Sequence, residues 1–303
     1  MSASRRLVAV VLPLGVAGPA AATAPLERQP AQQEGVFDLH HYADGKAARA
    51  AVEDRTVYGA VVVTAEGPEL PTASAASPVV AQLLREAVAE RTAATGAGLR
   101  TVDVVAAPAT DPRGAALGAS VLPPALAGIA AGAVVSLLGL RGIRTVGALV
   151  GAATLVGLVA AALAHSWLGV LTGDWWAEAA VLLSTLAVSA AVAGCAALVG
   201  TPGIGAVSFL VMFLGNPFSG AASAPRMLPE PVGTIGQWLP PGAGTTLLRS
   251  VSFFDGAAAV GPALTLLWWA ALGLGAVVPG SLLKQPPTPA APTPETPRRA
   301  LVA

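Results

Sequence analysis

Two stretches of this sequence, residues 114–140 and 179–225, contain no Asp, Glu, Lys or Arg. Each exceeds the roughly 20 apolar residues that carry a helix across the hydrocarbon core of a bilayer. A chain with two such stretches can fold in water only by hiding both. The rest of the sequence offers little to hide them with: of 303 residues 54% are hydrophobic and 11% charged, against roughly 25% charged in an average soluble domain. Mean hydropathy is +0.68. The expectation is an α-helical polytopic membrane protein.

Charge also excludes some functions. The formal net charge is zero, so no basic field points to nucleic acid. The single cysteine, Cys195, lies in an apolar run, which rules out an intrachain disulfide and reads as small apolar filler.

The remaining charges concentrate in residues 27–113, which predicts one water-facing domain over residues 25–113. Its pattern is β-α-β-β-α-β, a small α+β unit. VFDLHHY (36–42) is strand-like, and residues 44–55 carry Ala47, Ala48, Ala51 and Val52 on one helical side. VYGAVVVT (57–64) is a short β-branched run, and a turn at 67–70 leads into another strand. Ser77 can cap a helix from Pro78 to about Thr92, with proline at its first position, and LRTVDVV (99–105) closes the unit.

Residues 1–24 have Arg5 and Arg6 ahead of an apolar run broken by Pro13 and Pro19. Two readings stay open: a signal peptide cleaved near Ala22-Thr23-Ala24, or a short retained first span acting as a signal-anchor. The retained span is the expectation. Five more spans follow within the membrane domain 114–283, at about 117–140, 145–165, 178–199, 204–215 and 260–283. A Trp-rich loop (166–178) suits a headgroup boundary, and residues 284–303 form a Pro-rich tail expected to be disordered and cytoplasmic.

In this six-span plan Arg5, Arg6, Arg141, Arg144, Lys284, Arg298 and Arg299 share one side. The positive-inside rule makes that side the cytoplasm, with both termini inside and residues 25–113 extracytoplasmic, between spans one and two. The location expected is the plasma membrane. Small residues recur four apart in the spans, as at Gly128/Gly132, Gly147/Gly151 and Ala193/Ala197, a spacing that lets helix backbones approach closely.

Motifs for chemistry are missing. His40 and His41 are adjacent on a strand and point to opposite faces, so they do not share a metal ion. Neither G-x-x-x-x-G-K-[ST] nor G-x-S-x-G occurs. His165, Asp174 and Glu178 fall at or beyond span ends, which leaves mid-membrane without the ionisable pathway of a self-powered carrier. No enzyme activity, cofactor or metal is expected.

The long loop 216–259 opens with a cluster of breakers, LGNPFSGAASAPRMLPEP (214–231). Its second half predicts a short amphipathic helix over 245–254, with Leu247, Leu248, Val251 and Phe254 in one stripe and Arg249, Ser250 and Ser252 elsewhere on its surface. Such a helix lies in the membrane interface. Pro240-Pro241-Gly242 would stop whatever precedes it and set its entry angle.

These two loop segments, with VYGAVVV (57–63) and TASAASPVVAQLL (72–84), give the chain a resemblance to the ABC type-2 permease-like membrane proteins, including the YhgE/Pip-type and related actinobacterial proteins. The resemblance implies one span, an exported domain and five further spans. It makes Asn216, Pro217, Gly220, Pro240, Pro241, Gly242 and Arg249 the positions of interest, in an architectural or substrate-path role. It also implies export of a hydrophobic or lipid-like substrate, with partners: the lipid bilayer, and a separate ABC ATPase or a homo- or hetero-oligomeric membrane subunit. The alternative is a non-transporting envelope scaffold or binding protein that works through its exported domain.

Overall fold

A computed structural model describes residues 12–19, 37–94, 96, 98–140, 142–163 and 175–283. The strands β1 (Leu12–Ala17), β2 (Phe37–Tyr42), β3 (Ala60–Thr64), β4 (Gly67–Thr72) and β5 (Arg100–Asp103) form one mixed sheet in the order β2-β1-β3-β4-β5. β1 pairs in parallel with both β2 and β3, β3 pairs antiparallel with β4, and β4 runs parallel to β5. Helix α1 (Gly45–Glu53) begins one residue after Asp44, whose Oδ1 caps it by accepting the Ala47 N–H at 2.7 Å, while α2 (Pro78–Ala94) starts at its expected cap, where Ser77 Oγ accepts the Val80 N–H at 3.2 Å.

β1 corrects the expectation for residues 1–24. Leu12–Ala17 are a central strand, not part of a first span. All six residues of the strand are buried. A strand between two parallel neighbours, with cover on both faces, is apolar at every position, so it reads like a fragment of a membrane helix. Pro13 fits because it faces β3 before the β1–β3 ladder begins at Gly15, so its missing N–H interrupts no pairing. At Gly15 a Cβ would stand 2.8 Å from Ala60 Cβ. Residues 1–11 and 20–24 lie outside the described residues.

The sheet has a helix on each face, an α/β rather than an α+β arrangement. On one face Ala17, Ala60 and Val62 pack with Ala48, Ala51 and Val52 of α1. On the other, Leu12, Leu14, Val61 and Leu70 pack with Val80, Leu84 and Val88 of α2. The two sets alternate along the strands, as a two-residue period requires.

After a turn at 108–114, the chain becomes helical: α3 (Ala115–Ser120), α4 (Leu122–Leu137), α5 (Ile143–Leu163), α6 (Trp176–Val199) and α7 (Thr201–Phe209), which continues as a π-helical turn over Leu210–Gly215. Two 3-10 turns, Pro217–Ser219 and Pro225–Met227, lead to α8 (Val232–Trp238), α9 (Pro240–Phe253) and α10 (Val260–Leu283). α6 is the hub, packed against α4, α5, α7, α9 and α10. Three helical segments are long and apolar enough to cross a membrane: Gly118–Leu137, Trp176–Val199 and Val260–Gly280. Two shorter apolar helices span Ile143–Val159 and Thr201–Gly215. The chain is a helical membrane protein, but the described residues do not make six spans.

Close helix contacts sort the small-residue spacings. A Cβ on Gly132 would lie 2.6 Å from the Ser189 carbonyl oxygen, and one on Gly128 2.8 Å from Val188 Cβ, so this pair seats α4 on α6. Ala197 stands against Gly280 of α10, and Ala193 is buried. Gly147 and Gly151 face open space. The Trp-rich loop, apart from its last residues 175–178, and the tail 284–303 lie outside the described residues.

Candidate functional site at the seam between sheet and bundle

The breaker-rich loop is a folded connector. Its first turn is held by the Asn216 backbone: the carbonyl accepts the Ser219 N–H at 3.2 Å and the Ser219 hydroxyl at 2.7 Å. Pro217 begins the 3-10 turn, and Gly220 ends it at φ +67, a left-handed conformation that favours glycine. Gln237 then joins the layers, donating to the Ser219 carbonyl at 3.1 Å and accepting from the Thr246 hydroxyl at 2.6 Å.

Pro240 and Pro241 occupy the first turn of α9, where a missing N–H costs little. They end α8 as expected, but α9 begins at Pro240 rather than at Thr245. Gly242 lies directly against the Gly236 carbonyl, a crossing of α8 and α9 that leaves no room for a side chain.

α9 departs most from expectation. Arg249, Ser250 and Ser252 are buried, not on a water-facing surface. The helix is enclosed on both sides. Leu247 and Leu248 pack with Ala177, Ala180 and Val181 of α6 and Leu266 of α10. Its C-terminal end, with Phe254, packs under the α1 face of the sheet. The connector also reaches the opposite face, where Ala224 and Met227 join the cluster beneath α2. An amphipathic pattern does not distinguish a lipid interface from a domain interface, because each buries one stripe.

Polar groups cross the same seam. Arg55, at the end of α1, donates to the Thr246 carbonyl at 3.2 Å and to the Ser250 hydroxyl, with its guanidinium 5.1 Å from the centre of the Phe254 ring. Arg249 donates to the Ala221 carbonyl at 3.1 Å, and its Nε is buried without a hydrogen-bond partner. Tyr58 lies within electrostatic range of Arg55, Arg226 and Arg249. Burial raises the Tyr58 phenol above its usual range, while burial and then the neighbouring Arg55 charge pull Arg249 down to about 10. Arg249 therefore remains cationic at neutral pH.

Two recesses flank α9. One is apolar, about 370 Å³ counting its open mouth, and is lined by Val121, Pro124, Val181, Val188, Pro241 and Leu248 among others. The other, about 340 Å³ by the same measure, lies between sheet and connector and includes Ser74, Asp111, Arg113, Ala222, Arg249 and Phe253 in its walls. Ser74 is fixed there: its hydroxyl donates to Asp103 Oδ2 at 2.5 Å and accepts the Ala107 N–H at 2.8 Å.

The seven loop positions thus gather in one connector, with Pro240, Pro241 and Arg249 reaching the recesses. Sequence reasoning missed Arg55, Tyr58, Asp111 and Arg113, which no local motif marks. His40 pairs with Asp38 at 3.2 Å on edge strand β2, and no cluster of metal-ligating side chains occurs among the described residues. The chain matches no protein-family model, no curated protein and no solved structure at a significant level.

Proposed function

We propose that this chain is the membrane subunit of an export permease of the ABC type-2-like plan, acting on a hydrophobic or lipid-like substrate together with partner subunits. The observation that carries the reading is the apolar recess between α4, α6 and the start of α9. It is a concave, mostly hydrophobic site between helices, the kind that takes apolar ligands. Ser120 and Ser184 on its wall supply polar atoms among the carbons.

In this reading the sheet domain faces the outside of the plasma membrane. Arg144 lies at the end of the bundle away from the sheet, at the start of α5, and the exposed Trp175 and Trp176 mark the headgroup level at the sheet end. With β1 removed from the span count, five apolar helical segments would still put the sheet domain and the C-terminal end of α10 on opposite sides. The broad lipid-sized faces left open on α5 and α10, with Leu155, Leu158, Leu264 and Trp268 exposed, suit lipid or a second membrane subunit.

The test is purification from native membranes in mild detergent, followed by reconstitution with whatever ATPase or membrane subunit accompanies it. Nucleotide-dependent movement of a fluorescent lipid-like probe is expected, and Ser120→Leu, on the half-buried wall of the recess, should abolish it while the complex still assembles. Isolation without an ATPase or second membrane subunit would overturn the proposal.

A further inference from the structure

The seam holds an excess of cations that its own side chains leave unanswered. Arg249 is 3% exposed, and it donates to the Ala221 backbone carbonyl while its Nε has no hydrogen-bond partner. Arg55 likewise donates to a carbonyl and a hydroxyl. Among the described residues neither arginine forms an ion pair with a carboxylate; the pairs there involve His40, Arg49, Arg85 and Arg100. A buried guanidinium without a counter-charge is costly, and the cost rises when a second guanidinium is near.

The recess beside Arg249 supplies what such a charge requires. It is open to solvent, it has Arg113 at its rim, and Ser223 is on its wall. Asp111 is its acidic member, and Asp111 Oδ1 is occupied by the Ala115 N–H at 2.8 Å at the start of α3. The nearby Asp103 is held by Ser74 and by Arg85 at 3.7 Å. The basic groups therefore outnumber the acids that could neutralise them.

We propose that this recess is a binding site for a phosphoryl group, which the Arg249 guanidinium contacts from below and Arg113 from the rim. Guanidinium and phosphate match in geometry as well as charge. Occupancy would tie the loop after β4 (Ser74) and the turn at 108–114 (Asp111) to the connector (Ala221, Ser223) and so stabilise the docked arrangement. The site does not depend on the transport reading.

The experiment uses the full chain in an uncharged maltoside detergent at constant ionic strength. Thermal unfolding is followed while inorganic phosphate, dihexanoyl phosphatidic acid or dihexanoylglycerol is added. Phosphatidic acid should raise the midpoint by several degrees in the wild type, and dihexanoylglycerol should not. A shift with both phosphate and phosphatidic acid supports a site for the free group, and a shift with phosphatidic acid alone supports a lipid headgroup. R249Q should weaken apparent affinity at least ten-fold. A222D, which places a carboxylate in the recess, should raise the ligand-free midpoint and abolish the shift, so the test does not hang on the folding of one variant. No shift in the wild type, or an equal shift in R249Q and A222D, overturns the proposal.

Discussion

Arg55, the residue two past the end of α1, donates a hydrogen bond to the carbonyl oxygen of Thr246 inside α9 at 3.2 Å. It joins parts of the chain 191 residues apart. Arg55 also ends α1 in the left-handed conformation, at φ 59, just after the C-cap Asp54. The sheet domain is thus held on the bundle by a specific polar contact as well as by apolar packing.

Removing that contact should loosen the sheet domain. Hydrogen bonds from charged groups are worth roughly 1.5–3 kcal/mol, so R55A should destabilise the full chain by about 2 kcal/mol. The matched control is R49A, whose partner Glu69 at 2.6 Å sits on the sheet itself and keeps Arg100 at 3.6 Å; with the Arg49 side chain 44% exposed, losing that pair should cost at most ~1 kcal/mol. Hydrogen exchange in detergent should show R55A, and not R49A, increasing exchange in both the connector and the α1 face.

The close approach of α4 to α6 gives a second prediction. Gly132→Ala forces a Cβ to within 2.6 Å of the Ser189 carbonyl, and overpacking of this kind costs roughly 1–3 kcal/mol. Gly151→Ala meets nothing within 4 Å and should be neutral or slightly stabilising, since alanine favours helix. Thermal midpoints of the two variants in the same detergent should separate by several degrees.

β1 offers a third. Leu14 is 4% exposed in the centre of the sheet. Leu14→Asp buries a carboxylate there and should unfold the sheet domain, seen as new protease sites within 37–103 while the bundle helices stay protected. If residues 1–24 formed only a span or a cleaved signal, the sheet would stay resistant to protease.

A fourth concerns the tie between α8 and α10. Trp269 Nε1 donates to the Trp238 carbonyl at 2.8 Å. Trp269→Phe keeps most of the ring and loses that bond, so the cost should be about 1 kcal/mol. Tryptophan fluorescence should at the same time lose one hydrogen-bonded indole.

Much of the fold is legible in the sequence because it follows local rules. α2 starts at its cap Ser77, α1 lies within the amphipathic stretch 44–55, and β3 lies within the β-branched run 57–64. The apolar helices coincide with the uncharged stretches. β1 fails those rules because cover on both faces erases its alternation, and its proline and glycines read as breakers in a span. The loop residues Asn216, Gly220 and Pro240–Gly242 stand out as turn chemistry, and turns they are. What local pattern cannot show is what α9 packs against. Arg249 carries the same letter whether it faces water or lies 3% exposed under a sheet. Arg55 and Tyr58 join it only through contacts nearly 200 residues apart in sequence.

The central claim is the sidedness of a membrane-embedded bundle capped by the sheet domain. The direct test places single cysteines in a Cys195→Ser background, at Lys46 on the exposed surface of α1 and at Leu140 beyond the far end of α4, and treats intact cells with a membrane-impermeant maleimide. The account predicts labelling at position 46 in intact cells and at position 140 only after permeabilisation. Labelling at 140 but not 46 in intact cells, or at both, would contradict it.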